Sequence, residues 1–167
     1  MLGVGEPFPR FSLVANVSAE QYPPFRTITD EDYCGEWKVY FFWPKNFTEL
    51  SLAEIVDFGA VEAEFQARGA QLLGASVESE QAHLAWRKQE EELRKISLPL
   101  LSDMKRELCG ELGILDGNAG VAHRATFVVD PQGIIRFVYV TDASVSRDPS
   151  EVLRVLSDLQ ESSDPDL

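Results

Sequence analysis

The residues best suited to chemistry fall in one stretch and at one distant arginine. Trp37 to Glu54, reading WKVYFFWPKNFTELSLAE, places Pro44, Thr48, Glu49 and Ser51 where an apolar run gives way to a helix-forming one. Unpaired amides at a helix N-terminus favour negative charge, so hydroxyls placed there suit the binding of an anion or of a developing oxyanion. Thr48 is a helix cap first and a ligand donor second, with Asn46 the other cap candidate. Ser51, in the first turn, offers its hydroxyl either to solvent or to a substrate. Glu49 favours the helix dipole, and beside a pocket its carboxylate is also suited to act as a base. Arg124, in AHRATFVVD, is expected to face the same pocket as a permanent cation. His123 alternates with it; on a strand the two point to opposite faces, which makes His123 structural or exposed rather than catalytic.

The elements around these residues follow from patterning. Trp37 to Trp43 is an almost unbroken aromatic and β-branched run, expected as a strand buried on both faces and stopped by Pro44. Before it, the Gly- and Pro-punctuated start, a short strand at Phe11 to Val14, a loop to Pro24 and a strand at Phe25 to Thr29 form an N-terminal extension. After it, Leu52, Ile55, Val56, Gly59, Val61 and Phe65 recur at helical spacing up to Gly69, predicting one helix of about five turns. Gln71 to Val77 reads as the next buried strand. Ser79 to Lys95 reads as a helix capped by Ser79, with Glu80, His83, Arg87 and Glu91 on its more polar faces and His83 and Trp86 assigned to packing. Leu98 to Leu101 is a brief extended piece, and Asp103 to Leu112 a short helix that Gly113 ends. Ala125 to Val129 and Ile134 to Val140 flank the turn Asp130-Pro131-Gln132-Gly133 and form a hairpin. Asp148 caps a last helix, Pro149 to Gln160, ahead of a polar tail. This order is that of an α/β fold of the thioredoxin-like class, a central mixed sheet flanked by helices in one domain, 1–160, with 161–167 as the tail.

Bulk properties exclude several functions. The chain has 15 Lys plus Arg against 28 Asp plus Glu, a net charge of −13, which disfavours nucleic acid and anionic membrane as partners. No apolar run is long enough to span a bilayer and no signal-peptide pattern opens the chain, so a cytoplasmic location is expected. Cys34 and Cys109 are far apart with no C-x-x-C pair and read as free thiols; with only His83 and His123, no zinc spacing exists. Neither a metal nor another cofactor is expected.

Five motifs in order carry a family resemblance: FFWPKNFT, SVESEQAHLAW, LLSDMKREL, AHRATFVVDPQG and SRDPSEVLRVL. Together they closely resemble the AhpC type of two-cysteine peroxiredoxin, the alkyl hydroperoxide reductase family, from about Gly5 to Gln160. The resemblance implies a peroxiredoxin fold and a site built on Pro-x-x-x-Thr-x-x-Cys followed by Pro-Thr-Glu, completed by a distant arginine. Pro44, Thr48 and Arg124 match that pattern, and Glu54 with Arg147 match a supporting acid-base pair. The position of the peroxidatic cysteine holds Ser51, and Leu52 and Ala53 stand where the family has Pro and Thr. The family's C-terminal resolving cysteine also has no counterpart. An engineered Cys-to-Ser replacement accounts for Ser51 alone, whereas the neighbouring changes point to a natural loss.

A serine has neither the acidity nor the oxidisable sulfur that a thiol peroxidase needs. The expectation is therefore a peroxidase-inactive member that uses Pro44, Thr48, Ser51, Glu54, Arg124 and Arg147 to bind a small polar molecule, or to catalyse a cofactor-independent reaction with Glu49 at hand, for example in secondary metabolism. The rivals are an oligomeric interaction or chaperone protein and a residual hydroperoxide reductase acting through Cys109 or Cys34. Family members dimerise through the strand matching Arg136 to Val140, which makes a homodimer or larger homo-oligomer the expected partner state.

Overall fold

The computed structural model describes residues 1–162; residues 163–167, most of the expected tail, lie outside the described residues. Its centre is the aromatic run. Trp37–Phe42 forms β3, and all of it except Trp37 is buried because layers pack on both faces. On one side it pairs in parallel with β4, Ala70–Ser76, and on the other antiparallel with β8, Arg124–Val129. β8 turns through Asp130 to Gly133 into β9, Ile135–Thr141, as the hairpin pattern predicts. β5, Leu100–Ser102, extends the parallel side, and β1, Ser12–Asn16, and β2, Phe25–Thr29, add an antiparallel edge. The seven-stranded mixed sheet runs β2-β1-β5-β4-β3-β8-β9. A separate two-stranded ribbon joins β6, Leu115–Asp116, to β7, Val121–Ala122.

The helices divide between the faces. α1, Glu49–Ala60, and α3, Glu80–Gln89, pack Ile55, Phe58 and Trp86 against Phe41, Trp43 and Leu72. α6, Pro149–Glu161, capped by Asp148, adds Val152 and Leu156 to the same layer. α5, Glu107–Leu112, packs Leu108, Cys109 and Leu112 on the opposite face with Tyr40, Phe42 and Phe127. The N-terminal extension reaches over that face too, stacking Phe8 on Tyr40 with ring centroids 4.2 Å apart. Among the described residues, no helix is long and apolar enough to cross a membrane.

Two expected helices are each interrupted. The five-turn helix breaks at Val61, leaving α1 and a short α2, Glu62–Ala67, before Gly69 ends it. The helix expected over Ser79 to Lys95 ends at Gln89, since Glu90 is extended and a single turn, α4, Glu91–Arg94, follows. That break lets Leu93 be buried beside Ile96, whose side chain lies over Gly59. A Cβ on Gly59 would fall 2.1 Å from Ile96 Cγ2, so only glycine permits this approach. α6 runs one residue beyond Gln160 and so takes Glu161 from the expected tail.

Candidate functional site

The chain leaves β3 at Phe42 and enters α1 at Glu49, and a buried hydrogen-bond network fixes the six residues between. Trp43 Nε1 donates to Asn46 Oδ1 at 2.8 Å, Ser76 Oγ donates to the same oxygen at 3.3 Å, and Asn46 Nδ2 lies 2.9 Å from His83 Nδ1. His83 Nε2 is 2.9 Å from the Leu101 carbonyl, which can only accept. Nε2 therefore carries the proton and Nδ1 accepts from the Asn46 amide, which requires a neutral ring. Burial enforces this state, pushing the His83 pKa down to about 4. Gly74 contributes by its lack of a side chain, because a Cβ there would lie 2.8 Å from the Trp43 ring.

The cap of α1 is Thr48, not Asn46. Its side chain accepts from Ser51 N at 3.4 Å and donates to the Lys45 carbonyl at 3.3 Å. Phe47, just before it, has a φ of 62°, a left-handed conformation rare for a bulky residue. Its exposed ring lies 5.8 Å from Trp86.

Beneath this turn sits a charged cluster. Arg124, the first residue of β8, donates from Nη1 to Ser51 Oγ at 3.1 Å and to Glu54 Oε1 at 2.7 Å, and from Nε to the Ala143 carbonyl at 2.6 Å. Arg147 Nε donates to the other oxygen of Glu54, and its Nη1 to the Ala125 carbonyl at 2.8 Å and to Thr126 Oγ1 at 3.2 Å. Its guanidinium carbon also lies 5.7 Å and 6.0 Å from the Phe41 and Phe58 ring centroids. Ser51, Glu54, Arg124 and Arg147 are all buried. Burial depresses the Arg147 pKa, and the Glu54 carboxylate beside it opposes that shift. Among the described residues, neither Arg124 Nη2 nor Arg147 Nη2 has a hydrogen-bond partner.

A surface depression of about 350 Å³ opens above the cluster, with Pro44, Thr48 and Arg124 in its wall as expected. Lys45, Asp116, Ala119, Val121, Ala122, His123 and Ala143 complete it. Other expected members are placed differently. Ser51 is sealed below the surface, bonded to Arg124 and not to solvent, and Glu54 and Arg147 also lie beneath the wall rather than in it. Glu49 is exposed on the first turn of α1 and does not line the depression; its side chain leaves from the outer side of the helix that buries Ser51. His123 does not point away from Arg124. It precedes β8, where its amide bonds to the Ile114 carbonyl at 2.8 Å instead of entering a pleat, and it lines the same depression. Arg87, expected on a polar face of its helix, is fully buried, as is His83, whose assignment to helix packing agrees with its position. Sequence reasoning did not find Lys45, Asp116 or Ala143; the turn signal Gly117-Asn118, between short apolar pairs, was the one available pointer to the β6–β7 ribbon that brings Asp116 in.

The thiols lie elsewhere. Cys109 is buried on α5, where burial and the neighbouring Asp103 carboxylate push its pKa up to about 12. Cys34 is exposed in the turn before β3.

Comparison with known proteins gives a consistent result. The model of the AhpC/TSA family matches residues 4–138. The chain is 44% identical over 168 residues to a Mycolicibacterium smegmatis protein named alkyl hydroperoxide reductase C, covering 96% of this chain and 86% of that one. It is 37% identical over 160 residues to peroxiredoxin-2 of Bos taurus, covering 94% and 78%. Mycobacterium tuberculosis AhpC superposes with a TM-score of 0.89 at 45% identity, over 96% of this chain and 99% of that one. Enterococcus faecalis AhpC does so with a TM-score of 0.91 at 29% identity, over 98% of each chain.

Proposed function

The chain belongs to the AhpC/TSA family, and from that membership we propose that its Arg124 depression binds a small ligand bearing a carboxylate or similar oxygen-rich anionic group, without thiol-based reduction of hydroperoxides. Its fold is the thioredoxin-like peroxiredoxin fold. One observation carries the reading: Arg124 and Arg147 share the single carboxylate of Glu54, so the cluster under the depression holds one positive charge in excess. A buried cation without a full counter-charge is costly, and an anion arriving from solvent relieves that cost. Arg124 Nη2, with no bond to any described residue, is the donor available to it. Lys45 and the Thr48 hydroxyl stand in the same wall.

Ser51 stands at the position of the family's peroxidatic cysteine, and its hydroxyl supplies no sulfur for a sulfenic acid. Cys109, with its raised pKa, is a poor source of thiolate. A second reading rests on the relatives' name, which favours a hydroperoxide as ligand. Turnover would then need Cys34, the exposed thiol.

Two measurements separate the readings. Acetate or n-valerate is expected to shift amide resonances of Thr48 and Arg124 in the parent chain and not in Arg124→Met; equal shifts in both would remove the depression from consideration. Hydroperoxide consumption with dithiothreitol as reductant is expected at background level. Activity that disappears in the Cys34→Ser, Cys109→Ser double variant would replace the binding role with a thiol one. Self-association is a further proposal, supported by β9 being an edge strand with exposed Tyr139 and Val140. A strict monomer by light scattering would end it.

A further inference from the structure

A second depression, of about 420 Å³, adjoins the first and shares Asp116, His123 and Ala143 with it, while adding Asp142. The two differ in charge. The first presents Lys45 and Arg124, and the second presents Asp142, with Asp116 and His123 on the boundary. We infer that the pair forms one two-part site for a zwitterion, a short amino carboxylate whose carboxylate meets Arg124 and whose protonated amine meets Asp116 and Asp142.

The placement is fixed by backbone as well as side chains. Arg124 pairs with Thr141 across the β8–β9 ladder and donates from Nε to the Ala143 carbonyl at 2.6 Å, so Asp142 lies between the two residues that hold the arginine. Asp142 Oδ1 accepts from Ser144 N at 2.9 Å and from Ser144 Oγ at 2.6 Å. Asp116 Oδ1 accepts from the amides of Asn118 and Ala119 at 3.0 Å and 3.2 Å. These bonds favour the ionised carboxylates, and both pKa values lie below the usual range. Each carboxylate leaves Oδ2 without a hydrogen bond among the described residues, available to an ammonium group. On the other side, Arg124 is only 4% exposed yet lines the first depression with an Nη2 that has no hydrogen-bond partner among the described residues, a donor within reach of a ligand. The field of the whole chain agrees, because a net charge of −13 repels a simple anion at long range but not a zwitterion.

This rests on the proposed anion role of the depression, and the test keeps the two apart. Titrations followed by amide NMR on the full chain would compare γ-aminobutyrate with n-valerate, the same chain with a methyl in place of the ammonium. γ-Aminobutyrate is expected to bind about fivefold more tightly, the effect of a favourable exposed ion pair. In the Asp116→Asn, Asp142→Asn variant that ratio should fall to about one; asparagine oxygen still accepts the turn bonds, so the loops keep their shape. n-Butylamine should bind more weakly than γ-aminobutyrate, since it lacks the group that Arg124 reads. Equal binding of valerate and γ-aminobutyrate in the parent would overturn the zwitterion site and leave the anion role standing, as would a preference unchanged in the double variant. Failure of both carboxylates to bind would overturn the two together.

Discussion

Arg87 and the Arg124–Arg147 pair are all buried cations, and they are held in opposite ways. Among the described residues Arg87 has no carboxylate in contact, yet every guanidinium nitrogen is used: Nε on Asn16 Oδ1, Nη1 on the Ile96 carbonyl, and Nη2 on the Asn16 and Leu98 carbonyls. Burial lowers its pKa to about 10, which leaves it protonated at neutral pH. Arg124 and Arg147 have the carboxylate but must share it, and each keeps an Nη2 without a partner among the described residues. The first arrangement is saturated and ties α3 to β1 and to the approach of β5. The second is under-satisfied and lies against a surface depression. A buried charge that is fully bonded is a fastener, whereas one with a spare donor beside solvent can do further work.

The largest test of that contrast is Glu54→Gln, which leaves two buried cations without a counter-charge. It should cost about 3–5 kcal/mol in urea unfolding. A loss below ~1 kcal/mol would mean that the cluster is already hydrated and not under-satisfied.

A neutral buried network should fail differently, through protons. The folded-state pKa of His83 lies near 4 against 6.5 for a free ring, so the unfolded chain binds more protons between these values and stability falls as pH drops through that window. The loss should approach ~3 kcal/mol by pH 4 and be absent above pH 7. Comparing urea midpoints of the parent and His83→Gln at pH 7 and at pH 4.5 isolates it; the same pH dependence in both would assign the loss to other groups.

The direct comparison is Arg87→Met against Arg124→Met. Removing Arg87 strands Asn16 Oδ1 and buried carbonyls, at about 2–3 kcal/mol. Removing Arg124 leaves Glu54 paired with Arg147 and relieves like-charge repulsion, so the cost should stay within ~1 kcal/mol while anion binding is lost. The reverse ranking would make Arg124 the fastener. Smallest of all, Ser51→Ala should change stability by about 1 kcal/mol or less, since Arg124 Nη1 keeps Glu54.

Legibility from sequence followed the same division. β3, the Thr48 cap and the β8–β9 hairpin could be read because aromatic runs, a proline stop and a Gly-containing turn act locally. The breaks at Val61 and Glu90 could not, because they answer to Leu93 and to the Ile96–Gly59 contact, which only packing creates. Arg87 was placed on a polar face by residue type; its burial depends on Asn16, 71 residues away, whereas the packing role of His83 was legible but its Asn46 partner was not. Family motifs singled out Glu54, Arg124 and Arg147, which the structure brings together in one buried cluster. They did not reveal that Ser51 is sealed beneath the surface, or that a ribbon carries Asp116 to the rim.

The pairing of Glu54 with Arg147 spans 93 residues. On a ribosome, the chain from β1 to β5 emerges first, with β3 and β4 able to pair while the other edge of β3 lies bare until β8 arrives. Throughout that interval Glu54 has neither arginine, and burying it would strand an uncompensated anion. Burial of that carboxylate on the inner face of α1 therefore becomes favourable only once the segment carrying Arg124 and Arg147 has been made.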